Sequence, residues 1–130
     1  MTALVGCIGG GQLGRMLALA GTSMGHRFVV LTPEHAAPAS AVADTIVGRY
    51  DDLPSLERLA DGADVVTYEF ENVPVQAARS VDAVPSGRAL ELGQDRLVEK
   101  ELFTRLGIPT AAFGSVEEVG LPALVKSPPT

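Results

Sequence analysis

The stretch IGGGQLGRM, residues 8–16, directly follows the apolar run ALVGC at residues 3–7. A run suited to a buried strand, three consecutive glycines and then helical spacing predict a sharp strand-to-helix turn. Past the turn, Leu13, Met16, Leu17, Ala20 and Met24 recur three or four apart, which places them on one apolar face of a helix. Gly25 reads as its left-handed stop, and RFVVL, residues 27–31, as a second, β-branched strand.

The same alternation continues outward. TPEHAAPAS (32–40) is loop-like and TIVGRY (45–50) gives a short third strand. DDLPSLERLADG (51–62) reads as a helix with an Asp cap, Pro54 near its first turn and Gly62 as its stop. DVVTYEF (64–70) is a fourth strand, VPVQAARSV (73–81) a modest helix and AVPS (83–86) a very short fifth strand. Strands alternating with helices at this spacing predict an α/β fold. Its Rossmann-like parallel sheet carries helices on both faces through right-handed crossovers.

From Ala89 the character changes. Asp95 caps an amphipathic helix with Val98, Leu102 and Leu106 on a stripe, ended by Gly107 and Pro109. Ser115 and Glu118 form a capping-box pattern, LPALVK (121–126) reads as a buried strand, and SPPT closes the sequence. The expected division is one domain over 1–93 and the start of a second over 94–130.

Bulk properties narrow the function. The 130 residues, 46% of them hydrophobic, suffice for one compact domain with a core. A formal charge of −6 without a basic run speaks against nucleic acid. The single cysteine, Cys7, sits in the first apolar run and reads as a small buried hydrophobe. With only His26 and His35 beside it, a zinc site is not expected. No 18-residue apolar stretch or leader-like N-terminus occurs, so a cytoplasmic protein with no membrane partner is expected.

Gly9, Gly11 and Gly14 satisfy G-x-G-x-x-G between strand and helix. Unpaired N–H groups and the helix dipole make such a turn able to take a phosphate; equally, the glycines could serve only tight packing. A dinucleotide oxidoreductase would want an acid ending the second strand, yet Glu34 comes only after Thr32 and Pro33. YEFENV (68–73) places Glu69 and Glu71 at the carboxyl edge of the sheet, on one face, with Phe70 opposite. A carboxylate facing a phosphate turn across a cleft suits a ligand with an anionic end and an amine-bearing end; a solvated acidic loop is the alternative.

Together GGGQLGRM, VTYEFENVP, QDRLVEKELFTRLGIPTA and LPALVK, in this order and spacing, closely resemble the 5-(carboxyamino)imidazole ribonucleotide synthetases. These are the ATPase subunits of phosphoribosylaminoimidazole carboxylase, within the ATP-grasp superfamily. The resemblance implies a pre-ATP-grasp domain followed by the threshold of an ATP-grasp unit. It implies a ligase of purine biosynthesis that carboxylates 5-aminoimidazole ribonucleotide with bicarbonate and ATP through carboxyphosphate. It also implies substrate contacts at Gly9, Gly10, Gly11, Gln12, Leu13 and Glu69, with Glu71 as the second candidate acid, and ATP contacts at Arg96 and Lys126. ATP and Mg2+ would serve the complete enzyme. In the family a glycine-rich phosphate loop and late magnesium ligands follow the lysine, where SPPT stands here. No catalytic or metal-ligating residue is therefore expected in this stretch, and none of these cofactors should bind it tightly. It should be inactive alone. A homodimer stays open, as do a free-standing NAD-type module and a docking partner for a separate ATP-grasp chain.

Overall fold

The computed structural model describes residues 1–125. Residues 1–90 form one compact unit, and the chain from Glu91 forms a second.

In the first unit the elements are β1 (Leu4–Ile8), α1 (Gln12–Ser23), β2 (Arg27–Thr32), a 3-10 turn (Pro38–Ala41), β3 (Asp44–Val47), α2 (Leu53–Ala60), β4 (Val65–Tyr68) and α3 (Val75–Ser80). A further helix, α4 (Gly87–Gln94), begins in it. The strands are all parallel in the order β3-β2-β1-β4, with Ile8 opposite both Leu31 and Tyr68. Parallel strands buried on both faces alternate between two cores. Ile8, Leu31, Ile46 and Val66 meet Leu56 and Leu59 of α2 and Ala77 and Ala78 of α3. Cys7 and Val30 point the other way, against Ala39 of the 3-10 turn.

Local chemistry explains the helix ends. The Asp52 carboxylate accepts a hydrogen bond from the Ser55 amide at 3.1 Å, so α2 starts there with Pro54 in its first turn. Gly25 has φ +89°, the left-handed conformation that lets the chain leave α1 and enter β2.

Three expectations are corrected. The apolar face of α1 does not pack on the sheet: Gly14, Ala18 and Gly21 are its buried residues, while Leu13, Met16, Leu17 and Met24 are exposed. Small residues let the helix lie close. A Cβ on Gly21 would run into the Phe28 ring. The fifth strand over 83–86 is absent from the sheet. Val84 donates a single bond to the Val66 carbonyl (2.8 Å), and Pro85, lacking an N–H, cannot extend a ladder.

The second unit holds α5 (Arg96–Arg105) and the short α6 (Val116–Val119). Asp95 caps α5 by accepting from the Leu97 and Val98 amides at 2.8 and 3.3 Å. Ser115 and Glu118 form the reciprocal capping box, at 2.8 and 3.3 Å. No residue of α5 is buried, and Val98 and Leu106 are exposed. A stretch this short encloses no core of its own. The third correction lies here: residues 121–125 are not a buried strand, and Leu121, Leu124 and Val125 are largely exposed. A strand exists only with a partner for its ladder, and among the described residues none pairs with this segment. Lys126 lies outside the described residues.

Candidate functional site

Strand order reverses between β1 and β4: the chain runs from β1 to β2 and β3 on one side, then returns to β4 on the other. At such a switch point the carboxyl ends of the two strands open a crevice. Gly9 follows β1 there and Glu69 follows β4. Both keep the ladder going one residue further, through Gly9 N–H to the Leu31 carbonyl (2.9 Å) and Glu69 N–H to the Ile8 carbonyl (3.2 Å). Gly9 has φ +115°, a conformation that favours glycine, and it turns the chain into α1.

Helix α1 has Gly11 at its cap and Gln12, Leu13 and Gly14 in its first turn, so these four N–H groups have no partner within the helix. Gly11 has no side chain to supply one. Glu69 supplies it instead. Its Oε1 accepts from the Gly11 amide at 2.7 Å and its Oε2 accepts from the Gly14 amide. The half-buried carboxylate thus takes the first and last of the four orphan donors, and its charge sits where the helix dipole favours an anion. Between them lie the amides of Gln12 and Leu13, both exposed residues, which have no acceptor within the helix.

This revises the expected layout. The acid does not stand across a cleft from an empty phosphate turn; it occupies the turn. The glycines now have a steric reason tied to Glu69 itself. A Cβ on Gly11 would lie 2.8 Å from Oε1, and one on Gly14 would lie 2.7 Å from Oε2 and 3.0 Å from the Gly9 carbonyl oxygen. Glu71 is exposed in the following loop, so of the two acids Glu69 is the one clamped on the turn. Phe70 packs against Tyr50, with 5.3 Å between ring centroids.

Two neighbours were not singled out from the sequence. Thr32, buried at the end of β2, closes the turn on the far side: a Cβ on Gly10 would lie 2.9 Å from its Cβ. Its hydroxyl accepts from the Glu34 amide at 3.3 Å. Tyr50, after β3, has its phenol pushed up, by burial first and then by the charges of Glu69 and Glu34, while a hydrogen bond with Thr32 acts the other way. Register was the available signal, since Leu31 pairs with Ile8 and the next residue on each strand is Thr32 and Gly9. Beneath the turn, burial and then the Glu69 charge push the Cys7 thiol up to about 12, as suits an inert, buried cysteine.

In the second unit Arg96 is exposed at the start of α5 and paired with Glu99 at 3.1 Å. Among the described residues no group of three or more His, Cys, Asp or Glu side chains is placed to hold a metal ion. No helix among them is long and apolar enough to cross a membrane.

A parallel sheet with a glycine turn at its switch point and an acid from the neighbouring strand defines the class: residues 1–94 match the ribonucleotide synthetase preATP-grasp domain, and the chain belongs to that family. Within it the similarity is to N5-carboxyaminoimidazole ribonucleotide synthases. The Pseudomonas aeruginosa protein is 42% identical over 137 residues, covering 95% of this chain and 38% of that protein. The Brucella melitensis protein is 46% identical over 119 residues, covering 88% and 33%. Among solved structures, the Thermus thermophilus synthetase superposes with a TM-score of 0.85 at 46% identity, covering 91% of this chain and 37% of that one. The Aspergillus clavatus synthase, solved in complex with ADP and 5-aminoimidazole ribonucleotide, gives 0.78 at 31% identity, covering 85% and 31%. The chain therefore spans about a third of the length of the relatives it matches.

Proposed function

We propose that this chain forms the substrate-facing part of an ATP-dependent ligase that carboxylates 5-aminoimidazole ribonucleotide. What supports the reading is the Glu69 clamp, together with the names its relatives carry. Each Glu69 oxygen accepts one amide hydrogen bond and keeps further acceptor capacity. A carboxylate immobilised in this way is a fixed acceptor for an amine, and the neighbouring Gln12 and Leu13 amides are donors for an anionic group. One small ribonucleotide carries both.

In the reaction proposed for the whole ligase, a bicarbonate oxygen attacks the γ-phosphorus of ATP and ADP leaves, giving carboxyphosphate, which then breaks into carbon dioxide and inorganic phosphate. The exocyclic amine then forms the new N–C bond and loses a proton. Glu69 fixes the direction of that amine; Gln12 and Leu13, with Gly9 to Gly11 as the sterically bare floor, fix the other end. Arg96 is proposed to contact ATP and so is Lys126, as a point charge on a flexible stem. Magnesium would offset phosphoryl charge, and no step here is assigned through it. Alone, the chain is proposed to hydrolyse no ATP and to bind neither ATP nor Mg2+ tightly.

A dinucleotide fits less well. Its pyrophosphate would need the amides that Glu69 already holds, and buried Thr32 ends β2 where a ribose-binding acid would stand. Titration calorimetry of the 130-residue chain with 5-aminoimidazole ribonucleotide and, separately, with NADH tests the reading. Measurable binding of the first, weakened by Glu69→Gln, is expected; binding of NADH alone would overturn it.

A further inference from the structure

One side chain reaches both halves of the crevice. Tyr50 is half-buried and follows β3, just past Gly48, whose amide donates to the Thr32 carbonyl at 3.0 Å. Its ring packs on Phe70, the residue after Glu69, with the two planes tilted at 59°. Its phenol shares a hydrogen bond with the Thr32 hydroxyl, which also accepts from the Glu34 amide. Thr32 in turn abuts Gly10, so closely that a Cβ there would meet the Thr32 Cβ at 2.9 Å and its methyl at 3.1 Å. The Gly10 carbonyl accepts from the Ala39 amide at 2.9 Å. Glycine loses more freedom on ordering than any other residue and has no side chain to anchor itself. A floor of three glycines is therefore held in place by its neighbours.

We propose that Tyr50 is a positioning residue for the site: its hydroxyl, through Thr32, fixes the glycine turn, and its ring, through Phe70, fixes the strand end that carries Glu69. Phenylalanine would serve the packing on Phe70 equally well; only the hydroxyl adds the link to Thr32. That link is effective because Thr32 is buried, so water has little access to replace a lost phenol. The turn supplies donors and Glu69 the acceptor, so one side chain belonging to neither sets their spacing. The effect on the turn stands by itself; the effect on affinity rests on the reading of the site as one for 5-aminoimidazole ribonucleotide.

A 15N–1H correlation spectrum of the free, labelled chain tests the first effect. Tyr50→Phe should move the Gly9 and Gly10 amide signals and leave that of Gly14, held by Glu69, where it is. Thr32→Val should move the same signals, and the double variant should match either single one, as expected of two groups acting through one bond. Should Thr32→Val fail to fold, Tyr50→Phe alone decides. Titration calorimetry with 5-aminoimidazole ribonucleotide tests the second. Tyr50→Phe should raise Kd about fivefold, the effect of one neutral hydrogen bond, and Thr32→Ser, which keeps the hydroxyl, should stay near the wild-type value. Ser80→Ala loses a comparable bond to the Ala77 carbonyl away from the turn and should leave Kd unchanged. Gly9 and Gly10 signals indifferent to Tyr50→Phe overturn the inference, as does a Tyr50→Phe chain that binds as tightly as wild type. If the wild-type chain binds no 5-aminoimidazole ribonucleotide, the reading of the ligand falls and the spectra alone decide on Tyr50.

Discussion

Replacing Glu69 by Gln removes one oxygen acceptor and one charge while keeping the size of the side chain. Two backbone donors, Gly11 N–H and Gly14 N–H, converge on two carboxylate oxygens. A carboxamide offers one oxygen and one NH2, so one of the two contacts becomes donor against donor. A hydrogen bond to a charged acceptor contributes about 1.5–3 kcal/mol, and loss of the charge at the helix N-terminus adds about 0.3–1 kcal/mol. The site is half-buried, so water replaces part of the loss and a net cost of about 2 kcal/mol follows. For a unit of this size that corresponds to roughly 10 °C in melting temperature. Urea unfolding followed by far-UV circular dichroism at neutral pH measures it, and the amide signals of Gly11 and Gly14 should move upfield as their acceptor weakens. A Glu69→Gln chain within about 0.5 kcal/mol of wild type, the range of an ordinary surface change, would refute the clamp.

Gly14→Ala should cost more than Gly11→Ala, because its new Cβ meets the Gly9 backbone oxygen at 3.0 Å as well as Glu69, and backbone cannot swing aside; paired urea midpoints check the order. Gly21→Ala should destabilise the chain by about 1–3 kcal/mol as an overpacked contact with Phe28, and adding Phe28→Leu should recover part of that loss. Cys7 should resist iodoacetamide at pH 8 in the folded chain and react after denaturation. Its folded pKa lies above the unfolded value of 9.0, so its stabilising contribution is complete below pH 9 and is lost as pH rises towards about 12. Alkaline unfolding of Cys7→Ala should therefore depend less on pH in that window.

The four strands of the sheet and the first two helices were legible because their signals are local. Apolar runs, Gly25 and Gly62 as stops, and the Asp52 cap each act within a turn of where they stand. The orientation of α1 was not. Residues 13, 16, 17, 20 and 24 form a face by period, but residues 14, 18 and 21 form another, and only the nearness of Phe28 decides which one lies on the sheet. AVPS read as a very short strand, although the proline after Val84 leaves that residue one ladder bond. Segment 121–125 looked buried from composition, whereas burial depends on a partner. At the site, parallel strands put the glycine turn and Glu69 at one edge, and that much followed from strand order. Side-chain reach did not: the two methylenes of Glu69 carry its carboxylate over Gly9 onto the first turn of α1, which residue spacing cannot reveal.

The central claim is that Glu69 holds the outer amides of the turn and leaves Gln12 and Leu13 for a ligand. A 15N–1H correlation spectrum of the labelled chain, titrated with 5-aminoimidazole ribonucleotide, tests it residue by residue. The largest shifts should fall on Gln12 and Leu13, with Gly11 and Gly14 keeping the positions of carboxylate-bonded amides and Glu69→Gln abolishing the response. Shifts that spare the start of α1, or a response unchanged by Glu69→Gln, would contradict the account.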